Sequence, residues 1–165
     1  MRNLWLAGIV ILSVLSCRQN QNQDQVSDDS ELEFVADELP PRQSVNAKAA
    51  KELSGWVEYQ AFDQSFDGIY SALNNEDLIL VMDDLIEKQD MWEDSTYPEI
   101  YDVAQIKSRQ KILKTYILKV KSTLDYRADF MKEIINMIEA YNALRGQFDV
   151  IVNSNLDPKL LIDEE

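Results

Sequence analysis

The sequence predicts an all-α protein whose body is an up-down-up-down four-helix bundle. Between positions 46 and 152, apolar residues recur at steps of three and four, which places them on single faces of helices. Helix-breaking residues are scarce, since the 165 residues include only four glycines and four prolines. Charge is also shared unequally between successive segments. Together these features predict helices joined by short turns around one apolar core.

Three breaks divide this region into four predicted helices. The first segment runs to about position 73, weakened by Gly55 and Gly68, and Asn75 is expected to cap the second. A loop containing Pro98 separates the second from the third. A turn at residues 125–129 separates the third from the fourth and leaves Arg127 in a solvated corner. The alternative fold keeps residues 102–152 as one long bent helix against a helical hairpin, because the apolar phase continues across that turn.

Opposite charges mark the second and third segments. Residues 76–94 contain eight acidic side chains and one basic side chain, whereas residues 103–127 contain seven basic side chains and one acidic. Successive segments of a bundle are antiparallel neighbours, so their flanks should attract. Exposed pairs contribute only about 0–1 kcal/mol each. The pattern is therefore expected to select the arrangement more than to stabilise it.

The amino-terminal region predicts export and a lipid anchor. A basic start is followed by an apolar run over residues 4–15, which is too short to cross a bilayer because a span needs roughly 20 residues. The run ends at Val-Leu-Ser-Cys, and Cys17 is the only cysteine of the chain. This stretch resembles the lipobox of bacterial lipoproteins, although that family more often has a small residue where Leu15 stands. The alternative is an ordinary cleaved signal peptide that contains a cysteine.

The lipoprotein resemblance implies a processing route and a location. Cys17 would receive a diacylglyceryl group, become the first residue after cleavage, and usually gain a further fatty acyl chain such as palmitate on its amine. Two or three chains exceed the threshold for stable anchoring. In that family Asp after the cysteine favours the inner membrane. Arg18 stands there, so the resemblance implies the outer membrane, with the periplasmic or surface face left open.

The predicted organisation has four parts. Residues 1–16 are the signal peptide. Residues 17–45 form the lipidated cysteine and a polar, acidic, flexible tether, in which Leu32, Phe34 and Val35 are the residues that could dock on the body or on a partner. Residues 46–152 form the bundle, and residues 153–165 form a polar tail.

Composition excludes several classes of function. A formal net charge of −14 disfavours nucleic-acid binding, which requires Lys and Arg against phosphates. The chain has no histidine, which removes the commonest general base and the usual ligands of haem and di-iron bundles. With its one cysteine expected to be lipidated, zinc and iron–sulfur sites are not predicted. No cofactor and no enzymatic activity are expected.

Four remaining features are candidate sites, and for three of them the sequence favours a structural role. An acidic group on the second helix could hold a hard cation, but a solvated face is preferred: Asp83, Asp84, Glu87 and Asp90. Asn153, Asn155, Asp157 and Glu164 partly match a calcium loop, yet Pro158 occupies the position that requires glycine. Met82, Met91, Met131 and Met137 could bind copper but are expected to fill the core. The fourth feature is Arg145 with Gly146, which interrupts an apolar face; Gly146 permits a close helix crossing, a ligand approach or a helix end.

The sequence thus predicts a non-enzymatic, membrane-anchored envelope lipoprotein whose bundle binds an envelope protein or supports an assembly. The alternative is a carrier of a small ligand or cation. Cys17 is the only committed site residue.

Overall fold

The computed structural model describes residues 34–154, and within them all regular structure is helical. Five α-helices follow one another: α1 Ala47–Leu53, α2 Val57–Phe66, α3 Asn75–Glu93, α4 Ala104–Asp125 and α5 Met131–Ser154. Short 3-10 helices occur at Ala36–Glu38, Asp67–Ser71 and Glu99–Tyr101. The predicted all-α class and helical bundle are confirmed. No helix in this part of the chain is long and apolar enough to cross a bilayer.

The first predicted helix is in fact two helices, so that part of the prediction is wrong. The chain turns at Ser54-Gly55, and Trp56 precedes α2 with an extended backbone (φ −97°, ψ 91°). This conformation lets the Trp56 ring enter the core, where it is 2% exposed. Gly68, in the 3-10 helix after α2, allows close packing on α3, because a Cβ there would lie 3.2 Å from a methyl group of Val81.

The predicted turn between the third and fourth segments is confirmed, and the alternative of one long helix is wrong. Helix α4 ends at Asp125 and α5 begins at Met131. The Ala128 amide donates to the Thr123 carbonyl and the Arg127 amide to the Leu124 carbonyl, which together form a Schellman motif. Arg127 has a φ of 50° in this motif and is exposed, as the predicted solvated corner requires.

The core is a single cluster rich in aromatic rings. Helix α2 packs on α3, α3 on α4 and α4 on α5, while α1 contacts α5. Rings then join α2 to α5 across the interior: Tyr59 lies 5.3 Å from Phe148, and Phe62 lies 5.5 Å from Tyr141, between centroids. The α2–α5 contact closes the ring of helices, with α1 and α2 together taking the place of the first predicted helix.

The charge pattern of α3 and α4 forms the expected ion pairs. Lys114 lies 2.9 Å from Asp90 and also contacts Glu93, and Lys121 lies 2.8 Å from Asp83. Residue numbers rise along α3 as they fall along α4, so these helices are antiparallel. The molecule therefore has a near end, at Asn75 and the turn after α4, and a far end, at the loop of residues 94–103.

The prediction that residues 17–45 are wholly a flexible tether needs correction for its last twelve residues. Residues 34–45 lie against the helices. Phe34, which the sequence indicated as a residue that could dock on the body, is only 4% exposed. Asn75 does not cap α3, since Asn74 does so by accepting from the Asp77 amide; instead, the Asn75 side chain accepts a 2.9 Å hydrogen bond from the Phe34 amide. Residues 17–33 and 155–165 lie outside the described residues.

Candidate functional site

The most unusual polar feature is an ion pair between Arg145 of α5, which is buried, and Asp63 of α2, which is partly buried. Arg145 is 6% exposed. Its Nη1 contacts Asp63 Oδ1 and donates to the Tyr59 hydroxyl at 3.1 Å. The hydroxyl of Tyr141 and a second guanidinium, Arg42 at 2.9 Å, also donate to the same Asp63 oxygen. We call these five residues the clasp.

The local sequence explains how a charged pair reaches the interior. Tyr59 and Asp63 lie one turn apart on α2, and Tyr141 and Arg145 lie one turn apart on α5, so each helix presents a tyrosine and an opposite charge to the other. A buried charge is tolerated only when it is paired and hydrogen-bonded. The three donors on Asp63 and the acceptors around Arg145 meet that requirement.

Burial and charge set the protonation of the clasp. Burial, with the nearby Asp63 carboxylate, raises the pKa of Tyr59 to about 12. Burial likewise raises the pKa of Tyr141 well above its ordinary value. Burial alone would lower the pKa of Arg145, but Tyr59, Tyr141 and Asp63 raise it overall. At neutral pH the tyrosines are neutral and the arginine is charged, so the network is fully formed.

The clasp holds residues 34–46, which we call the strap. Tyr70 donates to the Pro40 carbonyl at 2.9 Å, and Arg42 also donates to the Asp63 carbonyl at 3.0 Å. Arg145 Nε donates to the Gln43 carbonyl. The strap is therefore bound by the same guanidinium that enters the core.

Two more residues of α5 complete the attachment. Asn142 accepts from the Gln43 amide at 2.8 Å and donates to the Pro41 carbonyl at 3.0 Å. Asp149 accepts from the Asn46 amide at 2.8 Å. Positions 142, 145 and 149 share one helical face, so one side of α5 satisfies the backbone of the strap.

The clasp is suited to holding the strap against the helices. The Asp63 oxygen that faces Arg145 already accepts three donors, and a guanidinium has no acceptor. Tyr59 bonds to Arg145, and Tyr141 and Arg42 bond to Asp63.

The structure separates most of the other candidate site residues. Each carboxylate of the acidic group on α3 contacts a lysine: Asp83 with Lys121, Asp84 and Glu87 with Lys88, and Asp90 with Lys114. Among the described residues, no group of three or more potential ligands could hold a metal ion. Met82 and Met137 are in the core, but Met91 is 51% exposed, so the methionines form no common site.

The remaining candidates have mixed outcomes. Neither the predicted close crossing nor a helix end occurs at Gly146, which lies inside α5. Apart from the helix's own backbone, no described atom lies within 4 Å of the position that a Cβ would occupy there. Arg145, in contrast, is the centre of the clasp. Asn153 is in the last turn of α5, while Cys17, Asn155, Asp157 and Glu164 lie outside the described residues.

Sequence reasoning missed Asp63, the partner of Arg145. The pattern that could have identified it is a charged residue within the inward phase of α2, between Tyr59 and Phe66. A second charge of opposite sign, Arg145, interrupts the inward phase of α5. Two such interruptions of opposite sign on separate helices predict a buried pair.

No protein-family model matches the chain, and neither a curated protein nor a solved structure shows significant similarity to it.

Proposed function

We propose that this chain is a lipid-anchored lipoprotein of the bacterial envelope, most consistent with the outer membrane, whose helical bundle is a non-enzymatic structural or protein-binding module. The resemblance of residues 14–17 to a lipobox supports the anchor. The observation that carries the proposal for the body is the strap. It is the segment that would connect the bundle with the anchor, and it is held by the ion pair of the clasp.

An anchor requires only a covalent connection, so an ordered strap has to be explained. Ordering one residue of backbone costs about 1–2 kcal/mol. The clasp and α5 offset that cost with hydrogen bonds to the strap backbone at Pro41, Gln43 and Asn46. The benefit to an anchored module is a fixed exit point for its tether.

That exit point gives the body an orientation. The described part of the strap begins at Phe34, beside Asn75 at the near end, and we take this point as the exit of the tether. Residues 17–33 can reach at most about 60 Å when extended. The near end would face the membrane that holds Cys17, and the far end would face away from it, where a partner can approach.

The anchor is tested by expressing the full chain in a bacterial host and determining the mature amino terminus by mass spectrometry. We expect a chain that begins at lipid-modified Cys17 and fractionates with membranes. The Cys17→Ala variant should lose lipid and processing, whereas Ser13→Ala, a matched change in the apolar run, should behave as wild type. An unmodified thiol, or a mature chain beginning at another residue, would show an ordinary signal peptide instead.

A further inference from the structure

A polar pocket lies at the far end, on the opposite side of the molecule from the strap exit. Its volume is about 460 Å³, and it is formed between the loop after α3 and the first turns of α4. Pockets that bind small molecules usually have volumes of about 300–1,000 Å³. Size and position therefore fit a small ligand that approaches from the side away from the strap.

Gln110, in the wall of this pocket, carries an unsatisfied hydrogen-bond donor. The residue is 1% exposed and forms part of the pocket wall, on the face of α4 that also carries Ile106 and Leu113. Its Oε1 accepts from the Tyr97 hydroxyl, which leaves Nε2 as the free end of the amide. Among residues 34–154 that nitrogen has no hydrogen-bond partner. Buried polar groups are nearly always paired, so the amide indicates a missing acceptor.

The charges around the pocket leave one cation uncompensated. Lys107 pairs with Asp102 and lies 5.1 Å from the centre of the Tyr97 ring. Glu93 is paired with Lys114. Lys111 also lines the pocket, is exposed, and forms no ion pair within the described part of the chain. One ammonium group without a partner suits one anionic group of a ligand.

We infer that this pocket binds a small polar monocarboxylate, with its carboxylate on Lys111 and a hydroxyl or carbonyl oxygen accepting from Gln110 Nε2. That nitrogen is closed to solvent in the present arrangement, so binding includes a side-chain adjustment of the pocket wall. The Glu93 and Asp102 carboxylates accept from ligand hydroxyls and repel a second negative charge. This selects hydroxylated monoanions over dianions and over uncharged polyols.

The test is an NMR titration of the full-length ¹⁵N-labelled chain in detergent micelles, with D-gluconate as the probe. We expect saturable shifts of the Gln110 side-chain amide and of backbone amides near Lys111. Sorbitol, which has no carboxylate, and citrate, which carries further charges, should bind more weakly.

Two lysine variants make the test specific. Lys111→Gln should weaken gluconate binding by about tenfold, the effect of losing one charge-assisted hydrogen bond. Lys48→Gln removes an exposed lysine of α1 and should leave the affinity unchanged. Absence of saturable shifts, equal effects of gluconate and sorbitol, or unchanged affinity in Lys111→Gln would each overturn the inference. A slowly exchanging water at Gln110 that gluconate does not displace would show that water alone satisfies the amide.

Discussion

Arg145 shows how one side chain can join the core to the connecting segment. Its Nη1 is bound inside the bundle by Asp63 and Tyr59, while its Nε reaches out to the Gln43 carbonyl. Loss of this residue therefore removes one of the two cations that contact Asp63 and one attachment of the strap together.

We predict that Arg145→Met lowers the free energy of unfolding by about 1.5–3 kcal/mol, because it removes a charge-assisted bond from the partly buried Asp63 carboxylate, which keeps its contact with Arg42. Adding Asp63→Leu should recover part of the loss, since an apolar pair leaves no unpaired charge. Arg109→Met, which breaks only a 3.1 Å bond to Gln147, is the control. Urea denaturation measures all three, and equal losses for Arg145→Met and Arg109→Met would contradict this account of the clasp.

Tyr59 makes the clasp sensitive to alkaline pH. Its ordinary pKa is 10.0, and in the fold its pKa is about 12. Because folding raises this pKa, the neutral Tyr59 hydroxyl contributes to the stability of the fold. That contribution is complete below pH 10 and is lost as the pH rises towards 12. The shift corresponds to about 2–3 kcal/mol.

We predict that the melting temperature falls as the pH rises from about 9 to about 12, a window that includes both pKa values. Thermal unfolding at several pH values measures this fall. The fall should be shallower for Tyr59→Phe, which keeps the ring but cannot ionise. Other buried tyrosines, including Tyr141, also contribute, so some decline should persist. Parallel curves for the two proteins would show that Tyr59 does not ionise with unfolding.

At the scale of elements, the turn after α4 contains a residue that its conformation disfavours. Arg127 has a φ of 50° at the C′ position of a Schellman motif, where glycine is preferred. We predict that Arg127→Gly raises the free energy of unfolding by about 0.5–1 kcal/mol. Arg127→Ala removes the same charge without relieving the backbone, so it should give no gain. If both variants stabilise equally, charge and not backbone conformation is the cause.

The α3–α4 interface predicts a salt-dependent effect. Lys114 and Lys121 attract the carboxylates of Asp90 and Asp83, respectively. Changing both lysines to Glu would replace these attractions with repulsion. We expect a lower melting temperature, with a larger loss at low salt than at high salt. Lys48→Glu with Lys51→Glu adds the same charge on α1 and is the matched control. Equal losses in the two double variants would mean that net charge, and not pairing, is responsible.

The helices and turns show which parts of the fold follow from the local sequence and which do not. Periodicity predicted the long helices and the turn at 125–129, because their apolar faces are continuous and the turn is local. It failed at Ser54-Gly55, where the tertiary need to bury Trp56 divides a helix. The docking of the strap was also beyond periodicity, since its partners Asn142, Arg145 and Asp149 lie about 100 positions away in the sequence.

At the scale of the whole molecule, the two ends of the bundle differ in their charged groups and in where the strap is attached. The described strap begins at the near end, whereas the polar pocket lies at the far end with Lys111, which has no ion pair among residues 34–154. A chain with a net charge of −14 is repelled by an anionic bilayer. The proposed anchor would hold the body near a surface that its charge avoids, which favours the far end as the accessible one.

This asymmetry predicts where an envelope partner makes contact. A photo-crosslinking amino acid at Thr96, an exposed residue of the far-end loop, should give a discrete crosslinked species in intact cells. The same group at Tyr126, which is 83% exposed at the near end, should give mainly lipid adducts or none. Arg145→Met should broaden the pattern, because a released strap no longer fixes the exit point of the tether. Protein crosslinks from Tyr126 but not from Thr96 would reverse the proposed orientation, and an unchanged pattern in Arg145→Met would show that the clasp does not set it.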